Sequence, residues 1–164
     1  MKYKKPYSVI VLIIITVIFI HTALFSDIKP GTWIIYNVPA SPQSEKTIPV
    51  KIYFPKSYSD TSRVIIAFHE YDGSMNSWQN NTSIAYYANQ YNMVIVCPHM
   101  PRTVYESCYF DQTTVKWNDM PAILWIGQLL LPYLNNTVGL NITKENLGVC
   151  GFSIGARGAL RVGE

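Results

Sequence analysis

Five residues near the end of the chain have the spacing of a serine nucleophile turn. Gly151, Ser153 and Gly155 fit the pattern Gly-x-Ser-x-Gly, in which the serine projects from a sharp turn between a strand and a helix. Glycine is favoured on both sides because neighbouring chain crowds the backbone there. Residues 146–150 are typical of a short buried strand, and residues 156–160 of the first turns of a helix. The pattern therefore predicts Ser153 as a nucleophile and Gly151 and Gly155 as its supports.

Backbone N–H groups near this turn could stabilise the negative charge that forms during attack on a carbonyl. The first candidate is the N–H of Ile154, at the start of the predicted helix. A second loop, residues 69–73, follows a buried strand, and ligands meet an α/β sheet at the carboxyl ends of its strands. We expect the N–H of Tyr71 in this loop to be the second donor to the oxyanion, with the N–H of Glu70 as the alternative. We interpret His69 as a brace for this loop rather than as a catalytic base.

A general base for Ser153 is not evident in the sequence. Residues 154–164 contain no histidine. His99 follows a buried strand and could approach Ser153, although a loop histidine with a structural role is the favoured interpretation. Asp111 and Asp119 are interpreted as a loop residue and a helix-capping residue.

Strand and helix patterns alternate through the middle of the chain. Strands are predicted at 32–38, 47–54, 63–68, 93–97 and 147–152, and helices at 77–90 and 117–134, the latter capped by Asn118 or Asp119. The first two strands indicate an antiparallel hairpin. The last three are continuous apolar runs, typical of strands buried on both faces. This order predicts an α/β fold with a mostly parallel, doubly wound sheet.

The start of the chain has the pattern of a membrane-directed segment. Three lysines precede a strongly apolar run at 7–20, and apolar character continues unevenly to Phe25. Residues 1–26 are predicted to form an apolar helix that is a cleaved signal peptide or an uncleaved anchor, with membrane contact through residues 7–25. Lysines on the amino-terminal side predict that residues 27–164 are exported, as a secreted, periplasmic or membrane-anchored extracytoplasmic domain.

Charge and length restrict the function classes. The 164 residues are enough for one domain, and the net charge of +3 comes from Lys2, Lys4 and Lys5, because later basic and acidic residues balance. Without a basic stripe in the folded part, we expect no nucleic-acid partner. No cysteine spacing resembles a zinc site, and we expect neither metal nor organic cofactor.

Cysteines and glycosylation motifs leave alternatives open. Cys97 and Cys108 are close enough in sequence to close one disulfide loop in an exported protein, whereas Cys150 is predicted to be a buried thiol and a poor nucleophile. Sequons begin at Asn80, Asn81, Asn135 and Asn141. The Asn-rich composition favours a chance origin for these triplets over real glycosylation sites.

The order of these features resembles the α/β-hydrolase superfamily. More narrowly, the chain resembles secreted esterases of the polyhydroxyalkanoate depolymerase and feruloyl esterase type over about residues 32–164. The segments that carry this resemblance are 50–55 in the second strand, 117–119 before the second helix, and 141–149 before the nucleophile turn.

The resemblance implies a carboxylic ester hydrolase that acts on small-molecule or polymeric esters. Ser153 would attack the carbonyl, while the N–H groups of Ile154 and Tyr71 hold the oxyanion. In this family the acid and the histidine follow the nucleophile, so the chain is expected to be the amino-terminal part of such a fold. The family usually has glycine directly after the loop histidine, where this chain has Glu70. The Glu70 side chain is expected to narrow the substrate pocket or to shift the oxyanion loop.

Two other functions fit the same residues. The chain could be a catalytically inactive, membrane-anchored remnant or a binding protein. An acyltransferase or a peptidase on the same fold is a third interpretation, because a fold does not determine a reaction.

Overall fold

The structure is a computed structural model that describes residues 28–114 and 116–163. The predicted signal or anchor at 1–26 lies outside the described residues. Among the residues that are described, no helix is long and apolar enough to cross a bilayer.

Five strands form a single sheet. They are β1 (Trp33–Pro39), β2 (Thr47–Tyr53), β3 (Arg63–Phe68), β4 (Met93–Pro98) and β5 (Leu147–Gly151). Each lies within one residue of the predicted bounds. The apolar runs predict these strands well because β3 and β4 are buried along most of their length.

The sheet has mixed rather than mostly parallel pairing. The strand order is β1-β2-β4-β3-β5. The predicted hairpin of β1 and β2 is confirmed as antiparallel, and β3 pairs in parallel with both β4 and β5. However, β2 joins β4 antiparallel, with Lys51 opposite Cys97. The sequence could not reveal this second antiparallel pair, because it depends on which sheet edge receives the hairpin.

The first predicted helix, 77–90, is two helices in the structure. They are α1 (Ser77–Asn81) and α2 (Ile84–Gln90). Thr82 between them has an extended backbone, with φ −142° and ψ 166°. Its hydroxyl donates to the Trp78 carbonyl oxygen and accepts from the N–H of Ile84 at 3.2 Å. Thr82 breaks the helix because its hydroxyl takes the place of a backbone donor for the Trp78 carbonyl oxygen and of a backbone acceptor for the Ile84 N–H.

The second predicted helix begins later than expected. Helical segment α3 runs through Ala122–Trp125, Ile126–Leu130, Leu131–Tyr133 and Leu134–Val138, of which the second and fourth parts have π geometry. Pro121 is its N-cap, and Asn118 instead donates from Nδ2 to the Ala40 carbonyl oxygen at 2.6 Å. The predicted cap by Asn118 or Asp119 is therefore wrong. The ring of a proline disfavours helical backbone angles at the residue before it, so Pro121 delays the start of α3.

Helices pack on both faces of the sheet, as predicted for a doubly wound arrangement. On one face, core residues of β2 and β3 pack with the side chains of α3, including Trp125 and Leu130, and with α4 (Ile154–Gly163). On the other face, Ala67 and Cys97 pack with α1 and α2, including Ala88. The sheet therefore carries α3 and α4 on one face and α1 and α2 on the other.

Candidate active site

Ser153 lies in a strained turn between β5 and α4. Its φ angle is +55°, in the left-handed region that few residues other than glycine adopt. The turn is held by two backbone hydrogen bonds, from Gly155 N–H to the Phe152 carbonyl oxygen at 2.9 Å and from Ala156 N–H to the Ser153 carbonyl oxygen at 3.0 Å. The serine side chain is exposed. Strained backbone of this kind concentrates at functional sites.

The two glycines around Ser153 are required by close packing of the backbone. A Cβ added at Gly151 would lie 2.1 Å from the carbonyl carbon and oxygen of Gly155. A Cβ added at Gly155 would lie 2.5 Å from the carbonyl oxygen of Phe68 and 2.7 Å from that of His69. Any side chain at either position would therefore force the turn open.

The loop after β3 is joined directly to the serine turn. The N–H of Phe152 donates to the Phe68 carbonyl oxygen at 3.2 Å, and Trp78 donates from Nε1 to the same oxygen at 3.1 Å. The structure therefore brings together the end of β3, the residue before Ser153 and the first helix of the opposite layer.

The backbone N–H groups of Ile154 and Tyr71 are the donors predicted for an oxyanion. Ile154 is the first residue of α4, where N–H groups lack intrahelical partners and the helix dipole favours negative charge. In the described part of the chain, no hydrogen bond occupies the N–H of Ile154 or that of Tyr71. The Tyr71 carbonyl oxygen accepts from Arg102 N–H at 2.6 Å, which fixes the loop after β3. The alternative donor, Glu70 N–H, is also unoccupied, so the choice between them stays a prediction.

His69 uses both ring nitrogens within the fold. Its Nδ1 lies 2.6 Å from the Glu70 carbonyl oxygen, and its Nε2 accepts from Met100 N–H at 2.9 Å. Nδ1 must therefore carry the proton, and the ring is neutral. The side chain is 1% exposed, and burial lowers the pKa of His69. This ring joins the β3 and β4 loops and has no free nitrogen to accept a proton from Ser153.

His99 is not brought to Ser153. It follows β4, whereas Ser153 follows β5, and β3 separates the two strands. The His99 ring centroid lies 6.2 Å from that of His69, and the backbone N–H of His99 donates to the Pro49 carbonyl oxygen. Burial lowers the pKa of His99, and its buried Nδ1 has no hydrogen-bond partner among the described residues.

The remaining polar candidates lie outside the serine turn. Asp111 and Asp119 are exposed in the loop before α3. Cys97, Cys108 and Cys150 are free thiols, so the disulfide that the sequence spacing allowed does not form. Burial raises the pKa of Cys97 to about 12 and also raises the pKa of Cys150, which is only partly buried at the edge strand. No group of three potential metal ligands comes together within residues 28–114 and 116–163.

A groove of about 230 Å³ opens beside the serine turn. Its lining residues are Glu70, Ser77, Trp78, Asn81, Thr82 and Phe152. Ser77 Oγ donates to Glu70 Oε1 at 3.2 Å, so the carboxylate forms part of the groove wall. Sequence reasoning identified Glu70 as unusual but did not identify Ser77 as its partner. Residues 70 and 77 approach each other only because α1 packs back over the loop.

Apolar surface also lies along the free edge of β5. In the described sheet β5 is an edge strand, and a groove there is lined by residues including Val149, Cys150, Ala156 and Leu160. Leu160 is 73% exposed. Edges of this kind can accept another strand.

The fold is similar to those of solved serine hydrolases. A fluorophosphonate-binding serine hydrolase from Staphylococcus aureus has a TM-score of 0.60 and 18% identity over 77% of this chain and 49% of its own. A CE1 ferulic acid esterase from the anaerobic fungus Anaeromyces mucronatus has a TM-score of 0.61 and 20% identity over 84% and 55%. An S-formylglutathione hydrolase from Agrobacterium tumefaciens has a TM-score of 0.62 and 13% identity over 79% and 52%. The predicted resemblance to α/β-hydrolase esterases is thereby confirmed at the level of the fold.

No family profile matches the chain, and no curated protein sequence does. The chain spans about half the length of the solved structures that it matches. An activity, substrate or partner like those of the complete proteins can therefore only be proposed for this chain.

Proposed function

We propose that this chain is the nucleophile-bearing part of a serine carboxylic-ester hydrolase. The observation that carries the proposal is the left-handed backbone of Ser153, at φ +55°, in a turn between a parallel strand and a helix. Strain at an exposed serine has no packing benefit there. It is expected where the hydroxyl has to project toward a substrate.

Ser153 would attack the ester carbonyl through Oγ, and its proton would pass to a general base. The N–H groups of Ile154 and of Tyr71 (or Glu70) would hold the oxyanion of the tetrahedral intermediate. Collapse of that intermediate releases the alcohol, which takes a proton from the base. Water, activated by the same base, then releases the acid and restores Ser153.

The general base would come from outside the described residues. Both ring nitrogens of His69 are occupied, and His99 lies beyond β3. A histidine and an acidic residue that follow the nucleophile in the chain, as the resemblance implies, would complete the site. The open apolar edge of β5 supports the proposal that residues 27–164 are part of a larger α/β-hydrolase domain.

The substrate class is proposed from the neighbours and from the groove. One neighbour is named as a ferulic acid esterase and another as an acetyl xylan esterase. Small-molecule and polymeric esters are therefore the proposed substrates. The proposed location is outside the cytoplasm, because of the lysine-flanked apolar segment at 7–25.

A fluorophosphonate probe tests this proposal on the 164-residue chain. We expect slow labelling at Ser153, located by peptide mass spectrometry and absent in Ser153→Ala. An oxyanion site without its base retains part of the rate enhancement, roughly 10³–10⁴-fold over water in serine proteases. Without an adjacent base, the labelling rate should rise steadily with pH.

The outcomes separate the candidate functions. A plateau of the labelling rate near neutral pH would mean that a histidine is recruited, and His99→Asn would then identify or exclude His99. A folded protein that shows no labelling would favour the inactive remnant or binding protein. Labelling that persists in Ser153→Ala would exclude Ser153 as the nucleophile.

A further inference from the structure

The carboxylate of Glu70 is held in a fixed position at the wall of the groove beside Ser153. Ser77 Oγ donates to Glu70 Oε1 at 3.2 Å, and the same Oγ accepts from the N–H of Ser74 at 3.0 Å. The carboxylate also packs against Gly73, where an added Cβ would lie 2.6 Å from Glu70 Cδ. These contacts fix the carboxylate in the groove wall, and the residue is only partly exposed to solvent.

The negative charge of Glu70 has no positive partner among the described residues. The ion pairs in that part of the chain join Arg102 to Asp72 and Lys144 to Glu145, and no hydrogen bond reaches Glu70 Oε2. Between Asp72 and Arg102 the chain contains no Asp, Glu, Lys or Arg, so neither α1 nor α2 supplies a cation.

The basic side chains of the surrounding elements do not line the groove. Lys51 on β2 donates from Nζ to Asn76 Oδ1 at 2.6 Å, just before α1. Arg102 lies with its Nε 3.6 Å from Asp72 Oδ1, and Arg157 is exposed on α4. The residues that line the groove therefore contribute one negative charge and no positive charge.

Two aromatic side chains form much of the apolar wall of the groove. They are Trp78, which is half-buried, and Phe152, which is 65% exposed. Both residues are tied to the Phe68 carbonyl oxygen, which accepts from Trp78 Nε1 at 3.1 Å and from the Phe152 N–H at 3.2 Å. An indole and a phenyl ring are thus held beside the carboxylate. Aromatic rings attract a cation through their negatively polarised faces, and a carboxylate attracts it through its charge.

We propose that this groove binds the ammonium end of a cationic ester substrate, and that Glu70 determines this specificity. A carboxylate beside aromatic rings matches an alkylammonium group, which combines a positive charge with apolar methyl or methylene surface. An anionic group would be repelled by Glu70, and a neutral group would leave the carboxylate without a partner. The groove, at about 230 Å³, is smaller than the pockets of roughly 300–1,000 Å³ that enclose drug-sized ligands, so it suits one end group of a substrate.

The position of the groove connects this selectivity with the proposed reaction. Phe152 directly precedes Ser153, so a short ester can place its ammonium end in the groove and its carbonyl at the serine. Glu70 belongs to the loop that supplies the second predicted oxyanion donor. Only this use of the groove in substrate selection rests on the proposed esterase function; binding of an ammonium group does not involve Ser153 Oγ.

Fluorescence titration of the full 164-residue chain with choline tests the binding step. The neutral comparison is 3,3-dimethylbutan-1-ol, which has nearly the same shape and lacks the charge, and sodium chloride keeps the ionic strength equal in all samples. We expect choline to change the emission of Trp78 and to bind about tenfold more tightly than the alcohol. The Trp78→Phe variant identifies the signal, because the chain has four tryptophans.

Matched variants assign the preference to the groove. Glu70→Gln keeps the side-chain size and an acceptor for Ser77 but removes the charge, so it should remove most of the preference for choline. Glu145→Gln removes the same charge at an exposed position before β5 and should change nothing. Phe152→Leu removes a ring at an exposed position and should weaken choline binding whether or not Glu70→Gln folds, which circular dichroism checks. Ser153→Ala should bind choline as well as the original chain does.

Two fluorophosphonate probes test the use of the groove in the reaction. One carries a trimethylammonium-ethyl group and the other a 3,3-dimethylbutyl group. We expect the charged probe to label Ser153 about tenfold faster, and Glu70→Gln to reduce this ratio. The ratio cancels any change in the intrinsic reactivity of the serine. Choline binding without labelling by either probe would overturn the nucleophile proposal and still support the ammonium site.

Several results would overturn the ammonium site itself. One is equal affinity for choline and the neutral alcohol, or no binding of choline, as expected if a cation from elsewhere in the chain pairs with Glu70. Another is a preference for choline that Glu70→Gln leaves intact or that Glu145→Gln reduces equally, since general attraction would then explain it. Equal labelling rates for the two probes, despite choline binding, would overturn the role of Glu70 in substrate selection.

Discussion

The α-carbon of Gly155 faces the carbonyl oxygen of Phe68 so closely that a Cβ there would lie 2.5 Å from it. This contact joins the start of α4 to the end of β3. Because both partners are backbone, neither can rotate away as a side chain would. The position of Ser153 is therefore set by the packing of two main-chain segments.

Gly155→Ala should destabilise the protein and open the serine turn. Overpacking against fixed backbone is expected to lower the free energy of unfolding by about 1–3 kcal/mol or more. Chemical denaturation measures this, and fluorophosphonate labelling of Ser153 should disappear in the same variant. The control is Gly127→Ala, where an added Cβ meets nothing within 4 Å. Its better helix propensity should raise stability by up to about 1 kcal/mol. Equal stability of the two variants would contradict the role of the Gly155–Phe68 contact in the turn.

Ser153→Gly should stabilise the fold while removing the nucleophile. Glycine adopts a φ of +55° without the penalty that a Cβ brings, so relief of strain should raise the free energy of unfolding by about 1 kcal/mol. Ser153→Ala keeps the Cβ and should leave stability almost unchanged. Thermal unfolding of the two variants side by side makes the comparison. A stability gain of the same size in Ser153→Ala would show that the hydroxyl, and not the backbone, carries the strain.

Tyr105→Phe should not destabilise the protein. The Tyr105 side chain is fully buried against Gly158 and Phe68, and its hydroxyl has no hydrogen-bond partner within the described residues. Removing an unsatisfied buried hydroxyl is expected to leave the free energy of unfolding unchanged or to raise it by about 1 kcal/mol.

The matched control for that variant is Tyr53→Phe. The Tyr53 hydroxyl pairs with the Asn89 amide, accepting from Nδ2 at 2.9 Å. Its loss should cost about 1 kcal/mol in the same denaturation experiment. If Tyr105→Phe proved the more damaging of the two, the Tyr105 hydroxyl would have to have a partner.

Stability should fall as the pH drops below about 6.5, the ordinary histidine pKa. Burial lowers the pKa values of His69 and His99 in the fold, so the unfolded chain binds more protons in this window. Their contribution is present above the unfolded pKa and is lost as the pH falls toward the folded values. Protonation of His69 would also remove the acceptor for Met100 N–H.

Urea denaturation between pH 5 and pH 8 measures this effect. His99→Asn should reduce the slope of stability against pH, and His69→Asn should reduce it further while lowering stability at pH 8. An unchanged slope in both variants would mean that other groups cause the acid sensitivity.

Local patterns in the sequence were sufficient for the strands and for the serine turn. The continuous apolar run at 64–68, which follows Arg63, indicated the bounds of β3, because a strand buried on both faces has few polar positions. The spacing of Gly151, Ser153 and Gly155 indicated a crowded turn, because only glycine tolerates such a close approach of backbone. Helix bounds were less predictable. Thr82 breaks one helix through its own side-chain hydrogen bonds, and Asn118 pairs with Ala40 instead of capping α3.

The sequence by itself determined the five strands, the serine turn and the charge-free stretch between Asp72 and Arg102. These features follow from side-chain size, polarity and backbone freedom at neighbouring positions. Only the tertiary structure decided that β2 pairs with β4, that both nitrogens of His69 are engaged, and that Ser77 meets Glu70. The physical reason is that each of these pairs forms between segments brought together by packing of the sheet and helices, and no periodicity along the chain encodes such a meeting.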